Sequence, residues 1–179
     1  AARVPPRHAL ALLGAFRQDA GKHRYASWAE LHDYCRLSAM PVGRHVLDLH
    51  GEDPATHEPS DPLCAALQVL NHLQDGAKDL AALDRCYLPD DMLAAAGASV
   101  ADLAGSAETP GLRAVFTRLL DHVDQLNDEA AGLPRAKSRG SAPVGMTKFF
   151  GHMRSACLER TRRGGGPLLR PKGPSLRSG

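Results

Sequence analysis

The apolar and polar positions along the chain fall into helical periods, most clearly from residue 61 to residue 80. There Gln68, Asn71, Asp75 and Asp79 recur three, four and four residues apart, so their side chains project from one stripe. Leu63, Ala65, Ala66, Leu67, Val69, Leu70, Leu73 and Leu80 cover most of the remaining circumference, which predicts a largely buried helix. Upstream, Ala9, Leu10, Leu13 and Phe16 give an apolar face to a helix over 8–22. Another runs over 28–40, with Ser27 as N-cap and Glu30 as its capping-box partner. Pro41 predicts a kink or break before the helix continues to His50 and stops at Gly51.

A polar loop over 51–60 leads into the central helix, and the turn Cys86-Tyr-Leu-Pro-Asp-Asp follows it. A short helix over 92–103 and a longer one over 112–131 come next, the latter with Leu112, Val115, Phe116, Leu119, Val123 and Leu126 inward. Its acids, Asp121, Asp124, Asp128 and Glu129, read as a solvated face. Residues 133–145 break the pattern, 146–163 could form one more helix around Phe149, Phe150, Met153 and Leu158, and 164–179 read as disordered.

No sustained Val/Ile/Thr alternation occurs and only eight residues are aromatic, so the fold class is all-α. Four cysteines without CxxC pairing, and no apolar run of membrane-spanning length, predict a reduced, cytoplasmic chain. The net charge of +2 hides an asymmetry: residues 1–134 carry −8 and residues 135–179 carry +10. No aromatic stacking set accompanies the basic tail, so nucleic acid is not an expected partner.

Carboxylates one turn apart on a buried helix are costly unless a cation compensates them. With Asn71 upstream, Asp75 and Asp79 form an all-oxygen donor set, which suits a hard ion such as Mg²⁺ better than zinc. The competing reading is a solvated acidic pair on a surface helix. Arg85 has the planar fork that matches phosphate oxygens, and Lys78 is either an anion contact or a solvated neighbour. The nine histidines show no ligand spacing, and His45 and His72 read as surface or packing residues.

The order Gln68-x-x-Asn71-x-x-x-Asp75-x-x-x-Asp79, followed by Arg85-x-Tyr87-Leu88-Pro89, resembles the second aspartate-rich motif of the squalene and phytoene synthases. Tyr34-Cys35-Arg36-Leu37-Ser38-Ala39-Met40-Pro41-Val42-Gly43-Arg44 is similar to the same family's Tyr-Cys-x-x-x-Ala-x-x-Val-Gly segment, in a form nearest the hydroxysqualene synthase branch of hopanoid biosynthesis. The match spans about residues 10–93.

The resemblance implies an isoprenoid-synthase helical bundle whose N-terminal helices, bearing a first aspartate-rich motif, are missing here; 1–132 would be a partial prenyl-synthase domain. It implies Mg²⁺-dependent ionisation of presqualene or farnesyl diphosphate, giving hydroxysqualene or squalene. Asn71, Asp75 and Asp79 would hold the metal, and Tyr34, Asp75 and Asp79 would be catalytic. Tyr34 would face a cavity and stabilise a carbocation, while Gln68, Arg85, Ala39, Gly43 and Tyr87 would bind substrate. Ala39 and Gly43, four residues apart, would leave a thin wall with room for an isoprenoid chain. Peripheral membrane contact and pathway partners in squalene synthesis are compatible with this reading. The rivals are a phytoene synthase, which differs in chain length and in the fate of the cation, and a non-catalytic helical scaffold whose acidic stripe binds a basic partner.

Overall fold

The computed structural model describes residues 6–105 and 107–130, and these form helices and turns with no strand. The sequence expectations for 133–179 lie outside the described residues. Helix α1 (Arg7–Asp19) leads through an irregular connection to α2 (Trp28–Ser38), whose N-cap is Ser27. The Ser27 hydroxyl accepts from the Glu30 amide, while the Glu30 carboxylate reaches back to the Ala26 amide.

Pro41 produces a full break. Helix α2 ends at Ser38, Ala39 serves as its C-cap and as the N-cap of α3 (Met40–His50), and Pro41 sits in the first turn of α3, where its missing N–H costs nothing. Gly51 closes α3 in the left-handed conformation, at φ 70°.

The central helix α4 (His57–Leu83) begins four residues earlier than the periodicity indicates. Asp53 caps a 3-10 turn, Pro54–Thr56, that runs directly into it, and Pro59 lies in its first turn. The polar composition of 51–60 therefore conceals a helix start. Short helices α5 (Asp90–Ala95) and α6 (Val100–Ala104) replace the single one expected over 92–103, and α7 (Pro110–Ala130) completes the described bundle.

Helix α4 packs chiefly on α7 and α3, with α2 and α6 against it as well. Ala65, Ala66, Val69, Leu70 and Leu73 form its core face against Val115, Phe116, Leu119 and Val123 of α7. The helix is not buried all round. Asn71, Gln74, Asp75 and Lys78 are exposed, and Gln68 and Asp79 are half-buried. The desolvation argument for the acidic pair thus applies to Asp79 and not to Asp75.

Gly43 of α3 packs directly against α4. A Cβ there would lie 2.3 Å from Cys64 Sγ and 3.1 Å from Ser60 Oγ, so the thin wall at this residue is filled by helix packing. The expected room for an isoprenoid chain at Gly43 is not free, because α4 occupies it. Nearby, Arg44 binds Asp61 with two donors, Nε to Oδ1 at 2.8 Å and Nη2 to Oδ2, tying the same two helices together.

Candidate active site

Gln68, Asn71, Asp75 and Asp79 all lie on α4 and share its open side, as their spacing predicts. They offer oxygen donors only. The Asp75 side chain is 56% exposed, and Lys78 Nζ stands 3.9 Å from its Oδ1 as a solvated neighbour. Asp79 differs. Burial raises its pKa first, the Asp75 carboxylate raises it further, and Lys78 and Arg85 only partly offset them.

The end of α4 brings Arg85 beneath this stripe. Asp84 takes a left-handed conformation at φ 50°, rare for a residue other than glycine, and so reverses the chain. Arg24 holds the turn by donating Nη2 to Asp84 Oδ1 at 2.6 Å and Nη1 to the Asp84 carbonyl. The Arg85 amide then donates to the Asp79 carbonyl at 3.3 Å, and its guanidinium folds inward. There Nη2 donates to the Asp19 carbonyl at 2.8 Å and Nη1 to the Tyr87 hydroxyl at 3.3 Å.

On the inner side lies an aromatic cluster that contains all three tyrosines of the chain. Three backbone bonds between the 23–26 connection and residues 86–91 hold it: the Cys86 amide donates to the His23 carbonyl, and those of Asp90 and Asp91 donate to the Tyr25 and Ala26 carbonyls. Tyr87 stacks on His72 with ring centroids 3.5 Å apart, and Tyr34 sits 6.0 Å from Tyr87 and 6.1 Å from His72. The Tyr34 hydroxyl donates to Asp19 Oδ2 at 3.0 Å. Burial first, then Tyr87 and Asp19, raise the Tyr34 pKa, so the phenol keeps its proton. His72 is pushed down to about 3, by burial and then by the Arg85 charge, and is neutral at pH 7.

Tyr34 is therefore a buried residue, 4% exposed, linked to the acidic stripe through Arg85 and through its contact with His72, the neighbour of Asn71. Tyr87 is 6% exposed. Ala39 is half-buried at the α2–α3 break, and Gly43 is packed on Cys64. Sequence reasoning missed Asp19 and Tyr25, and read His72 as a packing residue without foreseeing its stack on Tyr87. Asp19 was detectable as the lone carboxylate between residues 7 and 22, and His72 as an imidazole on the leucine-rich side of α4. His45 is exposed, and His72 is buried and packed on Tyr87.

Comparison with known proteins gives these features a context. The squalene/phytoene synthase family profile matches residues 1–176. The hydroxysqualene synthase of Sinorhizobium fredii is 60% identical over 103 residues, 58% of this chain and 35% of that protein. That of Rhodopseudomonas palustris is 58% identical over 109 residues, 61% of this chain and 37% of that protein. The phytoene synthase of Thermus thermophilus is 36% identical over 135 residues, 75% of this chain and 46% of that protein. The matched region thus spans less than half the length of each of these curated relatives.

The crystal structure of the squalene synthase HpnC from Alicyclobacillus acidocaldarius superposes with a TM-score of 0.77 at 35% identity, covering 91% of this chain and 62% of that one. A dehydrosqualene synthase crystallised with a ligand gives 0.79 at 21% identity, over 96% of this chain and 60% of that one, and supports the fold alone. The helical architecture and a family match over nearly the whole sequence lead to one conclusion: the chain belongs to the squalene/phytoene synthase family.

Proposed function

We propose that this chain contributes one wall of the active site of a head-to-head prenyl synthase, converting presqualene diphosphate, or farnesyl diphosphate through it, to hydroxysqualene. The observation that carries the reading is the junction at Arg85, where an oxygen-only stripe on α4 meets a buried aromatic cluster. A diphosphate-bearing hydrocarbon needs both environments, one for its anionic head and one for a cation sheltered from water.

The residues fit Mg²⁺. Asn71, Asp75 and Asp79 are hard oxygen donors at successive turns, and Asp79 is a partly buried carboxylate whose charge is disfavoured until a cation compensates it. Two carboxylates and an amide do not close a cage, which suits an ion that keeps positions for water and phosphate oxygens. Bound there, Mg²⁺ would neutralise charge on the departing diphosphate.

The chain's own groups do the rest. Arg85 spends two donors on Asp19 and Tyr87 and keeps others for phosphate oxygens, and Gln68 extends the polar edge. As the C–O bond opens, the electron pair leaves with diphosphate and positive charge stays on carbon. The Tyr34 ring, tilted against its neighbours, supplies the π-surface for that charge, Tyr87 being stacked on His72 and Tyr25 behind it, and both phenols remain protonated. Water then adds to the cation and loses a proton, which gives an alcohol without a reductant. The identity to hydroxysqualene synthases, 60% and 58% against 36% to a phytoene synthase, favours this outcome over phytoene formation.

The test is calorimetric titration of the 179-residue chain with farnesyl thiodiphosphate, with and without Mg²⁺. Binding should require Mg²⁺ and disappear in Asp75→Asn/Asp79→Asn. Binding that ignores both Mg²⁺ and the double substitution would reject the assignment. Incubation with presqualene and geranylgeranyl diphosphates, followed by chromatography, separates the hydroxysqualene from the phytoene outcome.

A further inference from the structure

Asp19, the last residue of α1, bonds in two directions. Its carbonyl accepts from Arg85 Nη2 at 2.8 Å and its carboxylate Oδ2 accepts from the Tyr34 hydroxyl at 3.0 Å. The other carboxylate oxygen, Oδ1, is buried without a hydrogen-bond partner among the described residues, as is Arg85 Nε. Leaving a carboxylate oxygen buried and unpaired is costly, and a neutral acceptor would satisfy a phenol. A carboxylate does more than satisfy it, because a charged acceptor forms the stronger bond and fixes the hydroxyl rotor.

We propose that Asp19 is a positioning residue that aims the Tyr34 hydroxyl and seats Arg85, so that the phenol oxygen turns its lone pairs toward the place where positive charge develops. The inference rests on the prenyl-synthase reading. With its hydrogen given to Asp19, the Tyr34 O–H dipole has its negative end directed away from α1, and the nearby carboxylate raises electron density on the ring. No proton moves. Arg85 is seated by the Asp19 backbone carbonyl, which substitution leaves in place, whereas the Asp19 carboxylate acts through Tyr34 and not on substrate, so the side chain's effect concerns the cation and spares the diphosphate.

Two probes separate these: farnesyl thiodiphosphate, which carries no positive charge, and a prenyl ammonium given with inorganic diphosphate, which mimics the cation. Both are titrated into the 179-residue chain with Mg²⁺. Asp19→Ala should weaken the ammonium about 10-fold and the thiodiphosphate by less than about 2-fold, a split that a merely structural role would not produce. Tyr34→Phe should show a similar loss, and the double substitution should be no worse than Tyr34→Phe alone. Asp19→Asn, whose amide oxygen still accepts the proton, should recover binding to within about 3-fold of wild type. Should Asp19→Ala fail to fold, Asp19→Asn completes the same cycle, and its small loss should vanish in the Tyr34→Phe background.

Equal weakening of both probes, or an Asp19 effect that persists undiminished beside Tyr34→Phe, would overturn the proposal. A wild-type chain that binds neither probe defeats the prenyl-synthase reading itself, and the role of Asp19 with it.

Discussion

Asn71 and His72 are adjacent on α4, yet they belong to environments that differ in almost every physical respect. Asn71 is exposed in a row of oxygen donors, whereas His72 is buried, uncharged and stacked on Tyr87 at 3.5 Å. One residue of helix turns the side chain by about 100° and moves it from water into the core. The outer face can lose charge with little effect on folding, while the inner face holds α1, α2 and the 86–91 turn together. Function should therefore depend on both faces and stability mainly on one.

The largest effect should come from breaking the inner face. Tyr87→Ala removes a ring packed on Tyr25, Tyr34 and His72 and the acceptor for Arg85, and should cost about 3–5 kcal/mol in chemical denaturation. On the outer face, Asp75→Asn should leave the melting temperature almost unchanged and weaken Mg²⁺-dependent analogue binding about 100-fold, equivalent to about 2.7 kcal/mol. Loss of binding only through unfolding would assign the stripe to structure.

A pH series sharpens the contrast. His72 has its folded pKa lowered to about 3 against an ordinary value of 6.5, so between these pH values the unfolded chain binds more protons than the folded one. Stability should fall as pH drops through that window, by a few kcal/mol at most on the order expected for such a shift, and His72→Phe should flatten the slope. Asp79 has the opposite sign: its raised folded pKa makes the carboxylate slightly destabilising above its titration, so Asp79→Asn should raise the melting temperature marginally at pH 7.

The smallest effect lies away from both faces. Asp48 accepts from His8 Nε2 at 2.8 Å, and His57 Nε2 stands 2.8 Å from its other oxygen, joining α1, α3 and α4. The His8 bond, more than the opposing partial burial, holds the Asp48 pKa below the usual carboxylate range. Its contribution is present above the unfolded carboxylate pKa and is lost on acidification through the folded one. Asp48→Asn should lower the melting temperature slightly at pH 7, and its difference from wild type should shrink as the pH falls below the ordinary carboxylate range.

Much of this was legible in the sequence. Period and caps fixed α2, α3 and α7 closely, because Ser27, Gly51 and the apolar heptads of 112–126 act locally. The shared stripe of Gln68, Asn71, Asp75 and Asp79 followed from spacing alone. What spacing could not give were contacts between distant segments: Asp19 with Tyr34, Arg85 with the Asp19 carbonyl, and Cys64 in the space left by Gly43. The start of α4 was missed because the prolines and acids of 51–60 read as a loop, although the first turn of a helix accepts both.

The contact between Gly43 and Cys64 makes two positions behave as one design variable. With 2.3 Å between a built Cβ and the Cys64 sulfur, Gly43→Ala requires the helices to separate or the thiol to vacate. A library that varies residue 43 alone should return destabilised chains, whereas pairing each enlargement there with Cys64→Gly or Cys64→Ala shifts the permitted volume from one helix to the other.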